Sequence, residues 1–172
     1  MTYFLFLRGI NVSGQKIIKM TELARILDEA GFTGVRTYLQ SGNVACESTL
    51  RSTGRVRKRV EASLLAALGY EVTAIVRTGA ELRGIVERDP FGGVKSGAAT
   101  KYVTFFADAP PHAKLPLVSP KGNVTVVEIT GADVCSLATT IPNGDYSNPW
   151  LEKLFKLPAT TRNWKTVEKM VG

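Results

Sequence analysis

Val35-Arg36-Thr37-Tyr38-Leu39-Gln40-Ser41-Gly42-Asn43-Val44-Ala45-Cys46-Glu47 is the stretch that decides the fold. It reads as two short β-type runs, 35–39 and 44–47, folded back on each other through Ser41-Gly42-Asn43, residues that turn a chain. Working outward, a helical period flanks it on each side. Upstream, residues 19–30 place Leu23, Ile26, Leu27 and Ala30 at i, i+3, i+4 and i+7, and Gly31 stops the helix. Downstream, residues 53–68 place Val56, Val60, Leu64, Ala67 and Leu68 on one face, with Gly69 as the stop. Outside these lie two more β-type runs, Tyr3-Phe4-Leu5-Phe6-Leu7 and residues 72–76. The order over residues 1–78 is β-α-β-β-α-β, the split βαβ plan.

Residues 79–172 repeat that plan less legibly. Thr78 can cap a helix through Glu87 with Leu82, Ile85 and Val86 as its stripe. Residues 89–100, with Pro90, Gly92, Gly93 and Gly97, read as a flexible loop. Residues 101–106, 124–129 and 134–139 are predicted strands, the last two paired through a Gly131 turn. Pro110, Pro111, Pro116 and Pro120 leave room for at most a short helix between the first two of these. Asn148-Pro149 starts a helix with Asn as N-cap, and a last helix is entered through Thr160 or Thr161, with Trp164, Val167 and Val171 on one stripe. The expected fold class is α+β, two tandem ferredoxin-like halves with antiparallel sheets, divided as 1–78 and 79–172.

Composition narrows the function classes. With 172 residues, 44% hydrophobic and 22% charged, the chain is globular, and no apolar run reaches the roughly 20 residues of a membrane helix. The apolar N-terminus has no basic region before it, so it reads as a strand, and the expected location is the cytoplasm. One histidine, His112, and two separated cysteines, Cys46 and Cys135, argue against a zinc site, and no cofactor is expected. The net charge of +7 favours anionic partners.

Three motifs carry a family resemblance. Arg8-Gly9-Ile10-Asn11-Val12 with Lys19-Met20, then 35–44, then Thr161-Arg162-Asn163-Trp164-Lys165-Thr166-Val167 resemble the opening and closing motifs of the Domain of Unknown Function 1697 family of bacterial proteins. The resemblance implies two ferredoxin-like domains and no established activity. Asp145-Tyr146-Ser147-Asn148-Pro149-Trp150 differs from the Gly-Ser-Lys-Leu stretch that the resemblance implies before the penultimate helix, and no site role is assigned to it.

In a split βαβ sheet the first two strands are parallel and end at the same edge. Arg8 and Asn11 are therefore expected beside Gln40, Ser41 and Asn43, near the N-terminus of the first helix, where backbone N–H groups attract anions. This set suits a phosphate or carboxylate, and Arg162 and Asn163 join it as candidate contacts. The competing reading makes the same residues turn formers. Arg51, Arg55, Arg57, Lys58 and Arg59 form a basic run at the start of the second helix, with Glu61 within reach of Arg57 and Lys58. The third strand lacks the aromatic platform of an RNA-recognition module, so nucleic-acid binding is expected to be weak and non-specific at most. The functional expectation is non-enzymatic binding of a small anionic ligand. The alternative is a hydrolase or transferase acting on a phosphorylated or carboxylated substrate between the two halves.

Overall fold

The computed structural model describes residues 1–95 and 97–172, so the predicted 89–100 loop lies in part, at Ser96, outside the described residues. The chain divides into two compact units, Met1–Arg83 and Gly84–Gly172. Together they form a mixed α+β structure with two antiparallel sheets, of four and five strands, and five helices among the described residues.

The first unit holds β1 (Thr2–Leu7), α1 (Met20–Glu29), β2 (Thr33–Tyr38), β3 (Asn43–Glu47), α2 (Thr53–Leu68) and β4 (Ala74–Thr78). The sheet order is β2-β3-β1-β4, with β3 antiparallel to both β1 and β2, so β1 and β2 run parallel. Alternation along the pleat sends Tyr3, Leu5 and Leu7 to one face of β1, where they join Leu23, Ile26 and Leu27 of α1 and Val56, Val60 and Leu64 of α2 in one core. The helix ends are specified locally. Gly31, at φ +86°, donates to the Asp28 carbonyl, and Phe32 donates to that of Leu27; this double bond closes α1 and buries Phe32. Ser52 caps α2, and Gly69 ends it at φ +76°.

α3 (Gly79–Arg88) opens with reciprocal capping: Thr78 Oγ1 accepts from the Glu81 N–H, and Glu81 Oε2 accepts from the Thr78 N–H. The second unit continues through β5 (Thr100–Phe106), β6 (Leu117–Val118), β7 (Val124–Thr130), β8 (Asp133–Ala138), α4 (Ser147–Phe155), β9 (Ala159–Asn163) and α5 (Trp164–Val171). Its sheet order is β6-β7-β8-β5-β9. On the face toward α4, Phe106, Val126, Val134 and Ala159 pack with Leu151.

No helix forms between β5 and β7, in keeping with prolines 110, 111 and 116, and the segment ends in the two-residue strand β6. Three expectations need correction here. Residues 160–162 are strand: β9 pairs antiparallel with β5, Thr161 opposite Thr104 and Arg162 opposite Val103, so Arg162 does not lie in a helical turn. The cap of α5 is Asn163, whose side chain accepts from the Lys165 N–H, and its buried stripe is Trp164, Val167 and Met170 rather than Val171. α4 begins at Ser147 with Tyr146 as N-cap, because Asn148 Oδ1 is taken by the Thr161 hydroxyl and cannot cap.

Candidate functional site

The parallel relation of β1 and β2 brings their ends to one edge of the first sheet. The Leu7 N–H donates to the Gly42 carbonyl at 2.9 Å, laying the segment after β1 against the β2–β3 turn. Gly42 is required there: its φ is +73°, and an added Cβ would sit 2.7 Å from Ile10 Cδ1 and 2.8 Å from Leu7 Cβ.

Asn11 joins the loops. It adopts a left-handed conformation at φ +53° that Asn tolerates better than most residues. Its Nδ2 donates to the Gln40 carbonyl at 2.6 Å and to the Ile18 carbonyl at 3.0 Å, while Oδ1 accepts from the Ile18 N–H at 2.8 Å. Both amide hydrogens are thus committed to the backbone. Ile18 immediately precedes Lys19, the N-cap of α1, which supplies no side-chain acceptor to the first turn. Asn11 therefore fixes the β1 loop, the β2–β3 turn and the start of α1 with one side chain.

Asn43 plays a comparable part from inside. It is fully buried opposite Phe6, and its Nδ2 donates to the Tyr38 carbonyl at 3.0 Å and the Ser41 hydroxyl at 2.8 Å. Arg8, Gln40 and Ser41 are exposed around these two anchors. Lys16, in the same loop, donates to the Glu71 carbonyl and lies over the Tyr70 ring. The sequence reading overlooked Lys16, although a lysine between turn residues beside Asn11 was the available signal.

Arg162 and Asn163 belong to the second unit. Arg162 is 9% exposed, on the sheet face opposite α4, and its Nη1 donates to Thr160 Oγ1 at 2.7 Å and the Thr161 carbonyl at 3.0 Å. Burial lowers its pKa to about 10, still well above neutrality, so the side chain stays a cation. Asn163 is exposed, with its side-chain oxygen committed to the α5 cap.

Nothing in the thiols suggests a nucleophile. Cys46 and Cys135 are both buried and unpaired, and burial pushes each thiol up to about 12. Among the described residues no group of three or more His, Cys, Asp or Glu side chains could hold a metal ion, and no helix is long and apolar enough to cross a membrane. Phe4 and Phe6 of β1 are buried, so neither is presented for base stacking.

The Arg-Gly-Ile-Asn loop, the Ser-Gly-Asn turn and the anchors that join them lie within a segment, residues 1–134, that matches the model of the family described as protein of unknown function (DUF1697). The chain belongs to this family. A solved structure of a conserved bacterial protein from Streptococcus pneumoniae is similar, at 19% sequence identity over 99% of this chain and 97% of that one, with a TM-score of 0.66. That likeness concerns the fold. No curated protein matches the sequence. In this DUF1697 member the residues after β1 and between β2 and β3 form a single hydrogen-bonded edge.

Proposed function

We propose that this DUF1697 protein is a cytoplasmic, non-enzymatic binding protein that takes a small phosphate- or carboxylate-bearing ligand at the edge built from the β1 loop and the β2–β3 turn. The observation that carries the reading is the Asn11 anchor. It holds exposed Arg8, Gln40 and Ser41 on one edge, at the start of a helix whose first turn has no side-chain cap. A guanidinium, a primary amide, a hydroxyl and helix N–H groups offer donors to an oxyanion. Asn11 and Asn43 act as positioning residues, with the ligand contacts on Arg8, Gln40 and Ser41. Arg162 and Asn163 are proposed, separately and within the second unit, as contacts for an anionic group. Supporting the absence of a covalent mechanism, the two thiols are buried and their ionisation is suppressed.

The finer fold reading, two ferredoxin-like halves, belongs to the same proposal. Omitting β6, the second sheet runs β7-β8-β5-β9, the order in which β2-β3-β1-β4 runs in the first, with the first crossover helix replaced by the proline-rich segment. Nucleic acid, if bound, engages exposed Arg51, just before α2, with Arg55 and Lys58 of its first turns, weakly, without sequence preference and with steep salt dependence.

Calorimetric titration with inorganic phosphate at fixed ionic strength tests the ligand site. The expected result is saturable binding that weakens at least 5-fold in Arg8→Gln. Equal affinity of parent and variant would remove Arg8, and with it the site.

A further inference from the structure

The contact between α4 and the second sheet changes character along its length. At one end it is apolar, with Leu151 against Phe106, Val126, Val134 and Ala159. One pleat step further along the same face stand Thr104, Ser136 and Thr161, and the helix answers with Ser147 and Asn148. Thr104 and Ser136 are fully buried and Ser147 is 5% exposed. Buried hydroxyls need hydrogen-bond partners, and this layer supplies its own, so each group in it is held in one orientation. Another step along, the same face opens into a cleft of about 330 Å³ whose walls include Thr100, Tyr102, Ala138, Ile141, Asp145 and Asn148. That volume holds a small metabolite.

The hydroxyl layer sets the orientation of Asn148. The Thr161 hydroxyl donates to Asn148 Oδ1 at 3.1 Å, so at the 2.7 Å contact between Thr104 and Thr161 the Thr104 hydroxyl is the donor. This relay fixes Asn148 by its oxygen and turns its NH₂ group into the open end of the chain. Among the described residues, no protein group accepts either Asn148 amide hydrogen, and none pairs with the Tyr102 hydroxyl. The rim is held as firmly. Asn123 Nδ2 donates to the carbonyls of Thr139 and Asp145, each at 3.0 Å, and its Oδ1 accepts from the Asp145 N–H at 2.8 Å. The cleft is thus preorganised, with the Asn148 amide N–H groups and the Tyr102 hydroxyl open to a ligand on one wall and, on another, the Asp145 carboxylate, whose Oδ2 accepts from the Lys121 N–H at 2.9 Å.

We infer that this cleft is a binding site for an uncharged polyhydroxyl compound, a free sugar or the ribose of a nucleoside. A sugar hydroxyl accepts from Asn148 or Tyr102 while its own proton goes to Asp145 or a threonine oxygen, so each hydroxyl finds both kinds of partner. The apolar side of a sugar ring meets Ala138, Ile141 and Pro149. No Lys, Arg or His lines the cleft and a carboxylate does, which sets it against anions and makes it distinct in chemistry from the proposed edge of the first unit. Tyr102 and Asn148 touch the ligand; Thr161 positions Asn148.

Saturation-transfer NMR and titration on the full chain test the site with D-glucose, D-galactose, D-ribose, adenosine and uridine, beside glucose 6-phosphate and AMP. At least one neutral compound is expected to bind in the micromolar to low millimolar range, with its phosphorylated form at least 10-fold weaker. Sugar-only binding identifies a free sugar, and nucleoside binding a ribose. Tyr102→Phe, which removes one hydroxyl at constant shape, is expected to weaken binding about 5-fold and Asn148→Ala at least 10-fold. Thr161→Val is expected to weaken it while Thr161→Ser restores it, and Arg8→Gln is expected to leave it unchanged. Saturation by no neutral compound overturns the assignment, as does tighter binding of the phosphates. Unchanged affinity in Tyr102→Phe, a variant without a folding defect to confuse the reading, overturns it as well.

Discussion

Replacing Asn11 with alanine is the perturbation with the most traceable cost. Three hydrogen bonds are lost, to the Gln40 carbonyl at 2.6 Å, the Ile18 carbonyl at 3.0 Å and the Ile18 N–H at 2.8 Å. At about 1 kcal/mol net for each bond the loss is about 3 kcal/mol. Alanine must also hold φ at +53°, which adds about 1 kcal/mol. The total, about 4 kcal/mol, is a large share of the roughly 5–15 kcal/mol that stabilises a typical protein. Asn11→Gly separates the two causes, since glycine loses the bonds but not the backbone preference, and it should recover about 1 kcal/mol relative to alanine. Asn11→Asp keeps the acceptor for Ile18 N–H yet sets a carboxylate against two carbonyls, so it should be no better than alanine. Urea denaturation of the three variants supplies the free energies, and hydrogen exchange at the Ile18 amide reports the local opening. An alanine variant within 0.5 kcal/mol of the parent, with Ile18 still protected, would refute the view that one side chain holds this edge.

Gly42→Ala should cost about 2–4 kcal/mol, combining a left-handed φ with Cβ approaches under 3 Å to Ile10 and Leu7; thermal unfolding measures it. Trp164, 6% exposed and in edge-to-face contact with Phe91 at 5.1 Å, should cost about 3–5 kcal/mol when truncated to alanine, read by chemical denaturation. Arg162→Ala should cost about 1–3 kcal/mol even without ligand, because it unpairs buried groups in β9; a melt unchanged from the parent would place that side chain outside the scaffold. The thiols give a pH dependence. Cys46 and Cys135 bind their protons more tightly folded, near 12, than unfolded, near 9, so they leave stability intact below pH 9 and reduce it as pH rises from 9 toward 12. At pH 10 the loss is on the order of 1 kcal/mol for each thiol, and a Cys46→Ala, Cys135→Ala double variant should lack that slope in denaturation curves taken across the range.

The first unit was legible because its local signals agree. Gly31 and Gly69 sit where each apolar period ends, and Ser41-Gly42-Asn43 separates two runs whose residues have no other use. The second unit was harder for physical reasons. Thr160-Thr161 suits a helix cap as well as a strand, and only pairing with β5, a partner some 57 positions away, decides in favour of β9. Asn148-Pro149 looks like a helix start, but Thr161 takes the side chain that would cap it. The β6–β7 hairpin did have a signal, Ser119-Pro120-Lys121-Gly122, in which Gly122 N–H closes onto the Ser119 carbonyl. At the candidate edge, the sequence pointed to two loops that lie side by side in the structure. It could not say that the Asn11 and Asn43 amides turn inward to backbone carbonyls, since that depends on which strand ends lie alongside. The cleft under α4 draws on residues near 102, 123, 148 and 161, and no linear pattern links them.

The most direct test of the proposed function is a residue-resolved amide NMR titration of the full chain with inorganic phosphate, with chloride holding the ionic strength constant. Saturable shifts are expected at Arg8, Gln40, Ser41 and the first turn of α1, with one dissociation constant shared among them. Shifts that stay linear and spread over every exposed lysine and arginine, or that saturate elsewhere while this edge stays still, would contradict the proposed function.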